Sequence, residues 1–318
     1  MKERFKKILF LGYNQEDLPQ ESWHRIDSMS REKVLLPKDS PEISKHLANS
    51  DCLLLKLGAG ADKRMIDNAP DLKYIGMFGT GYGRIDAAYA ASRRIAVCNI
   101  SGYSREGVAE FAFAVILEHI REVERAKAQA RGGNYSEATF QGTEIKNKTF
   151  GVIGLGNIES RIAEIAKHGF GANVQYWNIT RREDYEKQGI QYQELNILVR
   201  QVDFLSLNLA YVPETKEFLS KARIQLIKPG AVVVNLSPME LVDIDALEKR
   251  LQIGDITFIL DHSDELTQKQ AKQLSQYKNC ILYPPVAYTT KEATLMKQKI
   301  FVDNLENFLK GSPTNKVN

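Results

Sequence analysis

The stretch Thr149-Phe-Gly-Val-Ile-Gly-Leu-Gly-Asn-Ile-Glu159 places an apolar strand directly before a glycine turn that opens a helical pattern, Ile158 to His168. Such a turn binds a pyrophosphate. Gly154 permits the tight bend and Gly156 leaves room for the phosphates. The amides that start the helix, Asn157 and Ile158 among them, meet the negative charge along the helix dipole. Two positions depart from this pattern. The third position, normally Gly or Ala, is Glu159, whose carboxylate is expected either to point outward or to push the helix off the strand, and whose charge competes with a bound phosphate. At the end of the following strand, the acid that would grip a ribose 2′-hydroxyl is replaced by Asn178, followed by Thr180, Arg181 and Arg182. Loss of the carboxylate removes repulsion toward a 2′-phosphate and paired guanidinium groups suit one, so NADP is expected at least as readily as NAD. The alternative for the two arginines is a solvated loop pair.

Short apolar runs flanked by turn residues, with helical patterns between them, supply the frame: the rhythm of strand and crossover helix in a parallel sheet. Strands are expected at Lys7–Leu11, Asp51–Leu55, Lys73–Phe78, Ile95–Cys98, Thr149–Ile153, Asn173–Trp177, Asp203–Leu207, Ala231–Asn235, Thr257–Leu260 and Asn279–Tyr283. Runs such as Val232-Val233-Val234 predict burial on both faces and exclude a sandwich. One long helix is expected from Arg105 to Arg131, stopped by Gly132-Gly133, and a last amphipathic helix from Ala293 to Leu309. The tail from Gly311 onward is expected to fray.

Composition narrows the classes further. The chain has 318 residues, 43 % hydrophobic and 26 % charged, ordinary for a folded α/β protein. The net charge of +3 is too small and too evenly spread for a nucleic-acid footprint, and the run Lys2–Lys7 reads as solvated surface. The apolar stretch Ile8–Leu11 is too short for export or a membrane span. Cys52, Cys98 and Cys280 lie far apart in apolar contexts, without metal-like spacing, as expected of reduced thiols in the cytoplasm.

From about Asp51 to Lys310 the chain resembles the D-2-hydroxyacid dehydrogenase family. The resemblance is carried by Ala69-Pro-Asp-Leu-Lys-Tyr-Ile-Gly, Gly79-Thr-Gly-Tyr-Gly-Arg-Ile-Asp86, Val108-Ala-Glu110, the glycine turn, Pro213-Glu-Thr215, Lys228-Pro-Gly-Ala-Val-Val-Val-Asn235 and Leu260-Asp261. It implies a doubly wound, Rossmann-type cofactor domain at 102–286 and a discontinuous, flavodoxin-like substrate domain at 1–101 with 287–318, with the chemistry in the cleft between them. It also implies a homodimer built partly on the helix after Arg105. Gly154, Gly156, Asn157, Ile158, Asn178, Arg181, Arg182, Leu209, Pro213, Asn235, Leu236 and Asp261 are the implied contacts to NAD or NADP. Gly79, Thr80 and Gly81 are the implied contacts to a small acid, and Arg84 is expected beside them.

The family's catalytic groups are displaced. Pro238 stands where the family has the Arg that clamps the substrate carboxylate, and Pro285 where it has the acid/base His; proline offers neither charge nor donor. The partner Glu is matched by Glu265 or Asp264. Among the histidines, His262 is expected near the chemistry, as proton donor or as loop cap. Arg84, Arg105 and Lys56 are candidates to replace the clamp, and Tyr283 and Tyr288 bracket the lost His. The reading is an oxidoreductase on a small 2-oxo or 2-hydroxy acid with non-standard catalytic residues. The alternative is a catalytically inactive nucleotide-binding sensor or partner protein. No nucleic-acid, membrane or metal partner is expected.

Overall fold

The computed structural model describes residues 3–56 and 58–318, so that Lys2 of the basic run lies outside the described residues. The chain forms two compact units, one reaching to Tyr103 and resumed at Lys291–Asn318, the other Ser104–Thr290. All ten expected strands form, their ends shifted by at most two residues.

In the first unit, β1 (Phe5–Leu11), β2 (Ser30–Leu36), β3 (Cys52–Leu55), β4 (Tyr74–Met77) and β5 (Ala96–Cys98) make a parallel sheet in the order β2-β1-β3-β4-β5. This is the flavodoxin-like order, with its switch point between β1 and β3. Alternation along each strand feeds two cores: Ile8, Phe10 and Leu54 pack on one face with Phe301 and Leu305 of the helix Lys291–Leu309, and Leu9, Leu53 and Ile75 pack on the other. β2 was absent from the expectation because Arg31, Glu32 and Lys33 break its apolar run, as suits an edge strand. Lys7 corrects the reading of its basic run. It lies inside β1, is buried, and pairs with Glu32 at 3.0 Å.

The tail also departs from expectation. It does not fray: Val317 N donates to Val97 O (2.9 Å), Asn99 N donates to Asn315 O (3.1 Å), and Lys316 bridges Cys98 antiparallel. β5 is an edge with unpaired amides and carbonyls, and the tail satisfies them.

In the second unit, β6 (Thr149–Ile153), β7 (Asn173–Trp177), β8 (Gln191–Tyr192), β9 (Phe204–Leu207), β10 (Val232–Asn235), β11 (Thr257–Leu260) and β12 (Cys280–Leu282) form a parallel sheet in the order β12-β11-β10-β9-β6-β7-β8. This is a doubly wound sheet extended by one strand, with its switch point between β6 and β9. Val233 packs into the core on one face, and Val232 and Val234 into the core on the other. The helix expected over Arg105–Arg131 is two helices, Arg105–Ile120 and Val123–Arg131, broken where Glu122 turns left-handed (φ 50°). The returning chain takes a carbonyl of the first helix at this point, Thr143 N donating to Ile120 O (3.0 Å). The helix after the glycine turn runs Asn157–Glu164 and then widens into a π-helical turn over Ile165–Gly169.

Candidate functional site

The glycine turn sits at the carboxyl end of β6, at the switch point, where a doubly wound sheet leaves a crevice for a ligand. Gly154 has φ +90°, and a Cβ there would lie 3.1 Å from Leu209 Cδ2 and 3.3 Å from Asn208 O, so only glycine suits both backbone and space. Residue 155 closes the turn. Leu155 N donates to Asn178 Oδ1 (3.3 Å), and Arg182 donates to Leu155 O (2.9 Å).

Glu159 behaves in neither of the expected ways. Its side chain folds back over the turn, with Oε2 2.7 Å and Cδ 3.6 Å from where a Gly156 Cβ would stand, and Cγ 3.5 Å from the corresponding point at Gly154. The amides of Gly156, Ile158 and Glu159 face its carboxylate. Burial pushes its pKa above the ordinary carboxylate range, and these amide contacts pull it partly back. The helix-to-strand packing that a small residue would serve is kept because the long side chain leaves along the turn.

The arginines of the ribose position carry local carboxylates. Arg182 forms a two-point contact with Asp184 (3.2 and 3.1 Å), and Arg181 holds both oxygens of Glu186, Nε to Oε1 at 3.0 Å. The guanidinium groups hold Asp184 and Glu186 below the usual carboxylate range. Asn178 is also engaged locally, its amide donating to Thr180 O (2.8 Å). Leu209 N donates to Ser237 Oγ (2.7 Å) and Pro213 opens a short turn to Thr215. Asn235 is fully buried and spends its amide on Ser237 O and the Met239 sulfur, while Leu236 packs into the core.

A dinucleotide's phosphates fit this turn because Gly154 and Gly156 offer backbone free of Cβ atoms. The obstacle is the Glu159 carboxylate, the far end of a flexible side chain.

A second cluster gathers where β10, β11 and β12 end. Asp261, 2 % exposed, accepts from Val286 N (3.0 Å) and Ala287 N (3.1 Å) and so fixes the loop that carries Pro285. Glu265 accepts from Met239 N (2.8 Å), next to Pro238. Between the two carboxylates lies His262, with Nε2 3.9 Å from Asp261 Oδ2 and Nδ1 3.7 Å from Glu265 Oε1. Burial raises the pKa of Asp261 and of Glu265, against the lowering pull of the amides and the imidazole. Tyr283 packs its ring edge-on against Phe111 (5.5 Å), and Tyr288 is exposed.

The remaining candidates are placed as follows. Arg105 is tied to Asn157 O (2.9 Å) and to Glu164 (3.3 Å), so it braces the turn's helix and is not free to clamp an acid. In the first unit, Thr80 Oγ1 donates to Ile100 O and Asn99 donates to Thr80 O, which shapes the Gly79–Gly81 loop. Arg84 is exposed, 3.4 Å from Gly58 O, and Lys56 pairs with Asp17 at 2.6 Å. Lys297 escaped the sequence reading. Its ammonium lies 4.5 Å from the ring centre of Phe78, the residue before Gly79, and 5.4 Å from that of Tyr103; burial and then Lys56 lower its pKa. A lysine recurring on an apolar helical face was the only signal available. Among the described residues no group of side chains gathers to hold a metal, and no helix is long and apolar enough to cross a membrane.

Comparison with known proteins agrees with this geometry. The family described as D-isomer specific 2-hydroxyacid dehydrogenase, NAD binding domain, matches residues 113–287. The glyoxylate reductase of Thermococcus litoralis is 32 % identical over 294 residues, 89 % of this chain and 88 % of that protein. The glyoxylate reductase of Aeropyrum pernix is 33 % identical over 279 residues, 85 % and 83 % of the two chains. Among solved structures, the acyclic imino acid reductase Bsp5 in complex with NADPH and D-Arg superposes with a TM-score of 0.85 at 27 % identity, covering 98 % of this chain and 100 % of that one. D-lactate dehydrogenase from Aquifex aeolicus, complexed with NAD and lactic acid, superposes at 0.80 and 27 % identity, covering 96 % of each. The match over β6 to β12 makes the second unit a nicotinamide-dinucleotide-binding domain, for NAD or NADP. The chain belongs to the D-isomer specific 2-hydroxyacid dehydrogenase family.

Proposed function

We propose that the protein is an NAD(P)-dependent oxidoreductase that interconverts a small 2-oxo acid, of which glyoxylate is the simplest, and its 2-hydroxy acid, with Glu265 and His262 as its acid/base pair. The observation that carries this reading is the meeting of Glu265, His262 and Met239 N beside Pro238. A bound nicotinamide supplies the hydride. Hydride arrival at the carbonyl carbon calls for one proton at the carbonyl oxygen. Burial raises the pKa of Glu265, as suits a proton donor, and His262 Nδ1 lies 3.7 Å from its carboxylate. Gly79, Thr80 and Gly81 take the acid group through backbone amides. Arg84 is a further contact.

In this reading, residues 1–101 with 287–318 form the substrate domain and 102–286 the dinucleotide domain. Gly154, Gly156, Asn157 and Ile158 hold the pyrophosphate; Asn178, Arg181 and Arg182 face the ribose; Leu209, Pro213, Asn235, Leu236 and Asp261 shape the rest of the cofactor site. A homodimer is supported by the exposed Val123 and the apolar groove it shares with Leu117, Ala126 and Ala130. Three buried free thiols suit the cytoplasm. The similarity to glyoxylate reductases favours turnover over a binding-only role.

The test is steady-state oxidation of NADH and NADPH over a panel of 2-oxo acids, with and without an added amine because an imino acid reductase is structurally similar. Turnover is expected, and it should fall roughly 100-fold in His262→Ala and in Glu265→Gln, the scale of acid/base catalysis. Undiminished turnover in both variants overturns the acid/base assignment. No turnover on any substrate overturns the oxidoreductase reading.

A further inference from the structure

The amides at the start of the helix Asn157–Glu164 already have an anion. The Glu159 carboxylate lies over Gly156, in the space where the absence of a Cβ would let a phosphate approach, and the amides of Gly156, Ile158 and Glu159 face it. A carboxylate and a phosphate seek the same donors and the same positive end of the dipole, so both cannot sit there together. We propose that Glu159 is a built-in occupant of the phosphate cradle, that a dinucleotide binds by displacing it, and that this residue sets the protein's affinity for the pyrophosphate. The inference rests on the dinucleotide reading and is independent of turnover.

Two consequences follow from displacement. In the free protein the carboxylate stabilises the turn, because its charge lies over Gly156 at the positive end of the helix. In the bound protein the same carboxylate is expelled next to a negatively charged ligand, which weakens binding. A side chain that only packed against the turn would give the first effect without the second. A distant repulsive charge would give the second without the first.

The test uses the full chain and its variants Glu159→Gln and Glu159→Ala, with folding checked by circular dichroism. Fluorescence titration with NADH and NADPH is expected to show binding about tenfold tighter in both variants than in the parent. Thermal unfolding without ligand is expected to begin lower in Glu159→Ala, by about 2 °C. Inorganic pyrophosphate, used as the probe, is expected to raise its midpoint more than that of the parent. Equal or weaker nucleotide affinity in both variants overturns the proposal alone, as does a ligand-free Glu159→Ala that is no less stable than the parent. Failure of all three proteins to bind either nucleotide at millimolar concentration overturns the proposal together with the dinucleotide reading.

Discussion

The turn after β6 and the loops after β10, β11 and β12 lie at the same carboxyl end of one sheet, yet they differ in opposite ways from what the family resemblance implies. At the turn the backbone is kept, with Gly154 at φ +90° and Gly156 bare, and the departure is one flexible side chain, Glu159. At the second cluster the loops are held by side chains, the buried Asn235 on Ser237 and Asp261 on Val286 and Ala287, and the partly exposed Glu265 on Met239. There Pro238 and Pro285 stand where the family resemblance implies an Arg and a His, and no rotamer change can turn a proline into a charge or a proton donor. A scaffold can therefore be held independently of the groups at positions 238 and 285, because the bonds that hold the loops are made by other residues.

If the scaffold and the chemistry are separable in this way, disturbing the scaffold should be felt as stability. Asp261→Ala leaves two amides, of Val286 and Ala287, without their acceptor. We expect a loss of about 3 kcal/mol, read from urea unfolding of parent and variant. A loss under about 0.5 kcal/mol would mean that the loop holds itself and the comparison fails.

Restoring the chemistry on the intact scaffold is the converse. The double variant Pro238→Arg with Pro285→His should raise kcat/KM for a 2-oxo acid about 100-fold, the lower range of a positioned acid/base group. No gain would show that the loops no longer present those positions productively.

A smaller effect is expected from the first unit, where Lys297 sits against Phe78 and Tyr103. Lys297→Met should raise KM for the 2-oxo acid about tenfold with little change in kcat, as for loss of ground-state binding. A change confined to kcat would instead make the amine a proton carrier.

The smallest effect is a pH dependence. Burial raises the pKa of Glu265 in the folded protein, so the folded state binds more protons than the unfolded one between the ordinary carboxylate value and the raised one. The contribution of Glu265 to stability is therefore full below the ordinary value and is lost as pH rises through the raised one. Glu265→Gln, whose carbonyl still accepts from Met239 N, should gain slightly on the parent as pH rises through and above the ordinary carboxylate range, read from urea unfolding at a series of pH values. Parallel stability curves for the two proteins would remove this group's electrostatic role.

Much of this was legible in the residues. Strands buried on both faces appear as continuous apolar runs, so Val232-Val233-Val234 announced its own layer, whereas β2 was hidden because Arg31, Glu32 and Lys33 face out from an edge. The substitutions Pro238 and Pro285 were readable because proline's lack of charge and donor is a property of the residue itself. Other outcomes depended on partners far along the chain. The break at Glu122 follows from a carbonyl taken by Thr143, and the order of the tail from the open edge of β5. Lys297 matters only because the last helix returns to the first sheet.

The sequence by itself determined the two parallel sheets, the glycine turn and the lack of a charge or proton donor at Pro238 and Pro285, since periodicity, glycine's conformational range and side-chain chemistry are local. Only the tertiary structure decided where charges find their partners: Glu159 on the turn's amides, Arg182 on Leu155 O and Asp184, and His262 between Asp261 and Glu265. A charged side chain has many rotamers and several possible partners, and the choice among them is made by the burial and hydrogen-bond donors that the assembled fold supplies.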